Sequence, residues 1–168
     1  MNVELIKEMN MAIKSNDIEK VKRLIGCNEG ILNTITPFGT FLHYASMFGM
    51  YDIVKLLIEC GADVNIKGGS GDCGAITLAA FEGYKNIVEL LFDNGAVLDT
   101  STFARNPLFA AIVDNHFDIV TYIVEKGIDL SVSYAIGDLD SCDAYEYARQ
   151  YGRTEIAEYL KEQMEKQR

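Results

Sequence analysis

The apolar positions of this chain fall into short helical patterns that recur. One motif appears as Val21-Lys-Arg-Leu-Ile25, Val54-Lys-Leu-Leu-Ile58, Val88-Glu-Leu-Leu-Phe92, Val120-Thr-Tyr-Ile-Val124 and Ala157-Glu-Tyr-Leu-Lys161. The steps between copies are 33, 34, 32 and 37 residues. Apolar residues three and four apart make one face of a helix. Ahead of each copy lies another short helical pattern, centred on Ala12, Ala45, Ala79, Ala111 or Ala148. Four residues further on stands Asn16, Gly49, Gly83, Asn115 or Gly152. Gly and Asn adopt positive φ at the least cost, so these positions are predicted to end helices in the left-handed conformation. The second helix of each pair starts near Glu19, Asp52, Asn86, Asp118 or Glu155, and the acidic ones suit a helix N-terminus. It is expected to stop at Asn28, Gly61, Gly95 and Gly127, with a short extended segment and a turn after it.

A helix pair of this size cannot bury its own apolar face, so the units must stack. The clearest unit runs from Gly39 to Asn65 and contains Thr40-Phe-Leu-His43, Ala45, Gly49, Ile53-Val54, Leu56-Leu57 and Gly61-Ala-Asp-Val-Asn65. On these residues the chain resembles the ankyrin-repeat family, and the resemblance covers essentially its whole length. It implies an all-α solenoid of about five helix-turn-helix repeats with short hairpin-like turns. Residues 1–168 then form a single domain, with repeats near 1–33, 34–66, 67–100, 101–132 and 133–168. The first and last repeats match least well, as end caps do, and carry charges such as Lys14, Lys20, Lys22, Glu158, Lys161 and Glu162. The family's Thr-Pro-Leu-His signature is complete nowhere. His43 is the one histidine at its place, while Thr77 and Phe109 stand at the equivalent positions. Repeats three and four are therefore expected to brace their turns differently, or to be looser there. The longest step comes from an extended turn at 131–142, and such an insertion maps to one face, commonly the binding face.

Composition adds a little. Hydrophobic residues are 49% and charged residues 24%, a globular balance. No apolar run is long enough for a membrane helix. The first residues carry Glu4 and Glu8 within their apolar pattern, unlike a signal peptide, so a cytoplasmic protein is expected. Cys27, Cys60, Cys73 and Cys142 show no zinc-ligand spacing. Cys27 and Cys60 occupy equivalent places and are expected to be small buried fillers. The net charge of −10 disfavours nucleic acid, which needs a basic stripe. It suits a basic protein partner, or serves solubility alone.

Candidate chemistry is sparse. Gly69-Ser-Gly71-Asp-Cys-Gly74 spells the spacing of a dinucleotide fingerprint, but the repeat places it at a hairpin tip rather than in a βαβ unit. Asp138, Asp140 and Asp143 lack the glutamate of a calcium loop. With only His43 and His116, no catalytic triad is supported. The expectation is a non-catalytic chain without cofactor or metal.

The resemblance implies that a partner meets the concave face, built from turn tips and the pair before each first-helix stop. Those pairs are Lys14 and Ser15, Met47 and Phe48, Phe81 and Glu82, Val113 and Asp114, and Gln150 and Tyr151. The tips add Phe38, Ser70, Asp72, Phe103 and Arg105, and the long turn adds Tyr134, Asp138 and Asp140. Met, Phe and Val at positions open to solvent suggest an interface, although Phe48 and Phe81 could instead pack on a neighbouring repeat. From Asp129 to Glu146 there are five acids and no Lys or Arg, so this half of the surface is electronegative. Two functional readings follow. One is a module, monomeric when unbound, that sequesters or inhibits a basic protein. Small acidic chains of this kind are similar to bacterial immunity proteins that neutralise a toxin, often a basic nuclease. The other is a scaffold or adaptor joining two proteins.

Overall fold

A computed structural model describes residues 3–26, 30–69 and 71–166. The readings made for Cys27, Asn28 and Ser70 lie outside the described residues. The described residues form ten α-helices and one short β-hairpin. The first helices of the pairs are α1 (Val3–Lys14), α3 (Phe41–Met47), α5 (Ala75–Glu82), α7 (Pro107–Val113) and α9 (Ala144–Gln150). Their partners are α2 (Ile18–Gly26), α4 (Tyr51–Glu59), α6 (Lys85–Asp93), α8 (Phe117–Glu125) and α10 (Thr154–Lys166). The all-α solenoid expected from the sequence is the observed architecture.

The stack follows from which positions are small. Ala12, Ala45, Ala79, Ala111 and Ala148 are all buried where the first helices approach one another. α3, α5 and α7 pack more closely together than do α4, α6 and α8. The row of first helices is therefore the inner, concave side. In α4, Ile53, Val54 and Leu57 are buried while Asp52, Lys55 and Glu59 face water, and one apolar cluster runs from α1 to α10. Cys60 departs from expectation. It is the exposed C-cap of α4 and fills no gap. Sequence equivalence aligned it with Cys27, but a cap residue has already turned off the helix's buried face.

Every described stop has the predicted backbone: φ is 54° at Asn16, 71° at Gly49, 83° at Gly83, 63° at Asn115 and 65° at Gly152. Two of these glycines are constrained twice. A Cβ on Gly49 would lie 2.5 Å from the Tyr84 ring, and one on Gly83 would lie 2.5 Å from the His116 ring. Tyr84 and His116 each follow a stop, and each covers the stop of the preceding repeat. His116 Nε2 donates to the Phe81 carbonyl at 2.9 Å, and Arg153, after the last stop, donates to the Val113 carbonyl.

The turns are braced by different atoms. His43 Nε2 donates to the Cys73 carbonyl at 3.0 Å, while its Nδ1 accepts from the Thr40 amide at 3.2 Å. Because the Cys73 carbonyl can only accept and the Thr40 amide can only donate, the imidazole is neutral with its proton on Nε2. Burial agrees, holding its pKa below the ordinary 6.5. One repeat later the Thr77 hydroxyl donates to the Arg105 carbonyl at 2.8 Å. The threonine thus takes over the histidine's link to the next tip. At Phe109 rings replace the hydrogen bond: it lies 5.6 Å from Phe103, 5.1 Å from Tyr134 and 5.0 Å from Tyr147. Asn106 caps α7 through the Leu108 amide at 2.9 Å and donates to the Tyr134 hydroxyl at 3.0 Å. That hydroxyl donates to the Thr100 carbonyl at 2.6 Å. The extended turn is an antiparallel hairpin, β1 (Tyr134–Ile136) and β2 (Leu139–Cys142), tied to the preceding repeat by this chain of bonds.

Candidate partner-binding surface

The two residues that the repeat leaves free stand at the end of each inner helix. Met47 and Phe48 are half-buried. The Phe48 ring rests 4.7 Å from that of Tyr44, with the Lys14 ammonium 5.5 Å above its centre. Phe48 is therefore largely spent on its own surroundings. Phe81 differs, being 42% exposed with no ring contact among the described residues. Val113 is half-buried, and Tyr151, at 47% exposure, stacks 4.7 Å from Tyr147. Glu82, Asp114 and Gln150 are exposed.

Three of the expected residues converge. Phe81, Phe103 and Val113 line a groove of about 320 Å³ with Leu78, Ala104, Ala110, Phe109 and Tyr147. Phe109 and Tyr147 are buried and form its floor. Desolvation by burial is the main reason the Tyr147 phenol resists ionisation, and Tyr151 and Asp114 add to it. The position of Phe109, an aromatic ring where the repeat calls for a hydrogen-bonding side chain, was the visible signal of this floor. Leu78, Ala104 and Ala110 gave none, because they read as ordinary helix and turn residues.

Other expected residues lie elsewhere or bond within the chain. Arg105 forms an ion pair with Asp72, and its Nε donates to the Asp72 carbonyl at 2.9 Å. The pair fixes the spacing of two tips. Tyr134 is half-buried and holds the hairpin base. Phe38, at 57% exposure, stands on an earlier tip, 6.0 Å from the Tyr44 ring. Asp138 and Asp140 are exposed on the hairpin, and among the described residues they join no ion pair. Asp143 is occupied as the cap of α9, accepting from the Glu146 amide at 2.8 Å. No group of three metal-ligating side chains occurs among the described residues. The glycine-rich stretch is a hairpin tip bridged between Gly68 and Cys73, with Gly74 as the N-cap of α5.

The family of ankyrin repeats (3 copies) matches residues 9–102 and again 76–168. The chain belongs to the ankyrin-repeat family. Relatives extend over the same region. A putative ankyrin repeat protein, L371, of Acanthamoeba polyphaga mimivirus is 33% identical over 126 residues, covering 74% of this chain and 16% of that protein. Mouse protein phosphatase 1 regulatory subunit 27 is 34% identical over 90 residues, 53% of this chain and 58% of its own length. The palmitoyltransferase AKR1 of Lachancea kluyveri is 29% identical over 133 residues, 74% of this chain but 18% of the enzyme. The chain thus spans less than two thirds of each of these relatives. As a family, ankyrin repeats are protein-interaction modules and are generally not catalytic. No helix among the described residues is long and apolar enough to cross a membrane.

Proposed function

We propose that this ankyrin chain binds a basic protein through its concave face and sequesters or inhibits it. The observation that carries the reading is an apolar strip beside unpaired acids. Phe81, Phe103 and Val113 meet in one groove, while Glu82, Asp114, Asp138 and Asp140 join no ion pair among the described residues. An apolar centre with a charged rim is the usual anatomy of a protein interface. The acids speed the approach of a cationic partner and the apolar centre holds it. Capping an enzyme's cleft, such as that of a basic toxin or nuclease, is one output of such binding. The mouse relative is named as a regulatory subunit, which agrees with a chain that acts on another protein. An adaptor role has one observation in its favour: Ile35 and Phe38 are exposed at the earlier tip, apart from the groove. Affinity capture followed by mass spectrometry separates the two. Sequestration predicts one stoichiometric basic protein, retained by the native chain and lost with E82K/D114K. Several partners of mixed charge, unaffected by that variant, would refute it.

A further inference from the structure

Two hollows on this chain share Thr77, and their chemistry differs. The larger, about 460 Å³, is lined by Lys67, Asp99 and Arg105 among others. Its charges are satisfied within the chain, Lys67 by Asp99 at 2.5 Å and Arg105 by Asp72. The smaller, about 320 Å³, is apolar, and two of its walls, Phe81 and Phe103, are 42% and 36% exposed. Its size is at the low end of small-ligand pockets, roughly 300–1,000 Å³, so it suits one side chain rather than a cofactor. Buried polar atoms are scarce in it. Thr77 already donates to the Arg105 carbonyl, leaving little to orient a polar guest.

The rim supplies the second half of the recognition. Glu82 follows Phe81 and Asp114 follows Val113, and neither carboxylate is in an ion pair among the described residues. Of the neighbouring cations, Arg105 is paired with Asp72 and Arg149 with Glu146 at 3.1 Å, while Arg153 is held in place by the Val113 carbonyl and keeps its charge. We propose that the groove receives one aromatic or large aliphatic side chain of a partner protein, on a segment with Lys or Arg at the adjacent positions. The assignment rests on the concave-face reading and narrows it to one anchor point. The aromatic floor contributes apolar contact, and Glu82 and Asp114 favour the flanking cations over a neutral or acidic segment.

The chain contains no tryptophan, so a tryptophan-bearing probe reports on itself alone. The probe is the acetylated, amidated pentapeptide Gly-Arg-Trp-Lys-Gly. Its controls replace Trp by Ala, or Arg and Lys by Glu. Probe fluorescence gives the affinity of the tryptophan peptides, and shifts of the Leu78, Ala110 and Val113 methyl signals give that of all three and locate the site. The expected result is binding at least about tenfold tighter than either control, with the largest shifts at those three methyls. Ala110→Phe, which fills the groove, should reduce affinity about tenfold. Phe81→Ser changes an exposed wall without touching the core, and should weaken binding even if Ala110→Phe proves unstable. Equal affinity for the Trp and Ala peptides would overturn the groove assignment while leaving a basic partner on the acidic face intact. Shifts confined to the hairpin would overturn it too. A dimer by sedimentation that Phe81→Ser dissolves would make a second copy the occupant, contradicting the proposal. Failure of the native chain to capture any basic protein, by contrast, speaks against the broader reading alone.

Discussion

Repeats two and four differ in how they brace their turns, and much of the surface follows from one position. In the pair α3–α4 that position is His43, whose two ring nitrogens tie its own turn to the next tip. In α7–α8 it is Phe109, which can do neither and instead gathers Phe103, Tyr134 and Tyr147 around itself. Repeat three, with Thr77, keeps the polar link in a smaller side chain. The hollow beside the polar brace is walled by Lys67, Asp99 and Arg105, whose charges are paired within the chain. An aromatic brace holds by area, and the hollow beside it is apolar. The groove lies where the polar solution gives way to the aromatic one.

The comparison breaks most completely at Phe109. It is buried among three other rings, so Phe109→Ala should cost about 3–5 kcal/mol in urea unfolding and abolish the groove. Gly83 and Gly61 give the next test. Both have positive φ, but a Cβ meets the His116 ring only at Gly83 and meets nothing within 4 Å at Gly61. Gly83→Ala should cost about 2–3 kcal/mol, combining backbone strain with the lost His116 bond, whereas Gly61→Ala should cost about 1–2 kcal/mol. Equal costs would mean that the contact between repeats adds nothing.

His43→Thr imports the third repeat's brace into the second. It should cost about 1 kcal/mol near neutral pH and remove a pH dependence. Burial lowers the His43 pKa from the ordinary 6.5, so the unfolded chain takes up the proton first as pH falls. The native contribution is therefore complete above about pH 6.5 and declines below it, until the folded imidazole itself protonates. Urea midpoints of the two proteins at falling pH should converge. Asp99 loses stability in a separate, more acidic window. Burial raises its pKa, but the Lys67 ammonium and the Ser101 donors lower it more, to about 2 against the ordinary 3.8. Its contribution is present above about 3.8 and disappears between there and about 2. The smallest effect on stability belongs to D138K/D140K, within about 0.5 kcal/mol, because both side chains are exposed. On a basic partner the same variant should slow association by about tenfold at low salt, measured by stopped flow.

What could be read from the sequence divides along the same line. The helix stops were legible because positive φ restricts the choice to Gly and Asn, a local rule. The departure at Thr77 and Phe109 was legible as a departure. Its resolution was not, because the acceptor of Thr77 is a carbonyl 28 residues away and the partners of Phe109 come from three other segments. Tyr134 read as a tip residue, yet its hydroxyl reaches Thr100, 34 positions earlier. Cys60 read as buried because its repeat position, not its place on the cap, was compared.

The central claim is that the aromatic junction of repeats three to five is where a partner protein binds. Hydrogen exchange of the chain with and without its captured partner tests this directly. The account predicts slowed exchange from Phe81 through Gly83 and from Phe103 through Asp114. Slowed exchange confined to the outer helices α4, α6 and α8, with the groove segments unchanged, would contradict it.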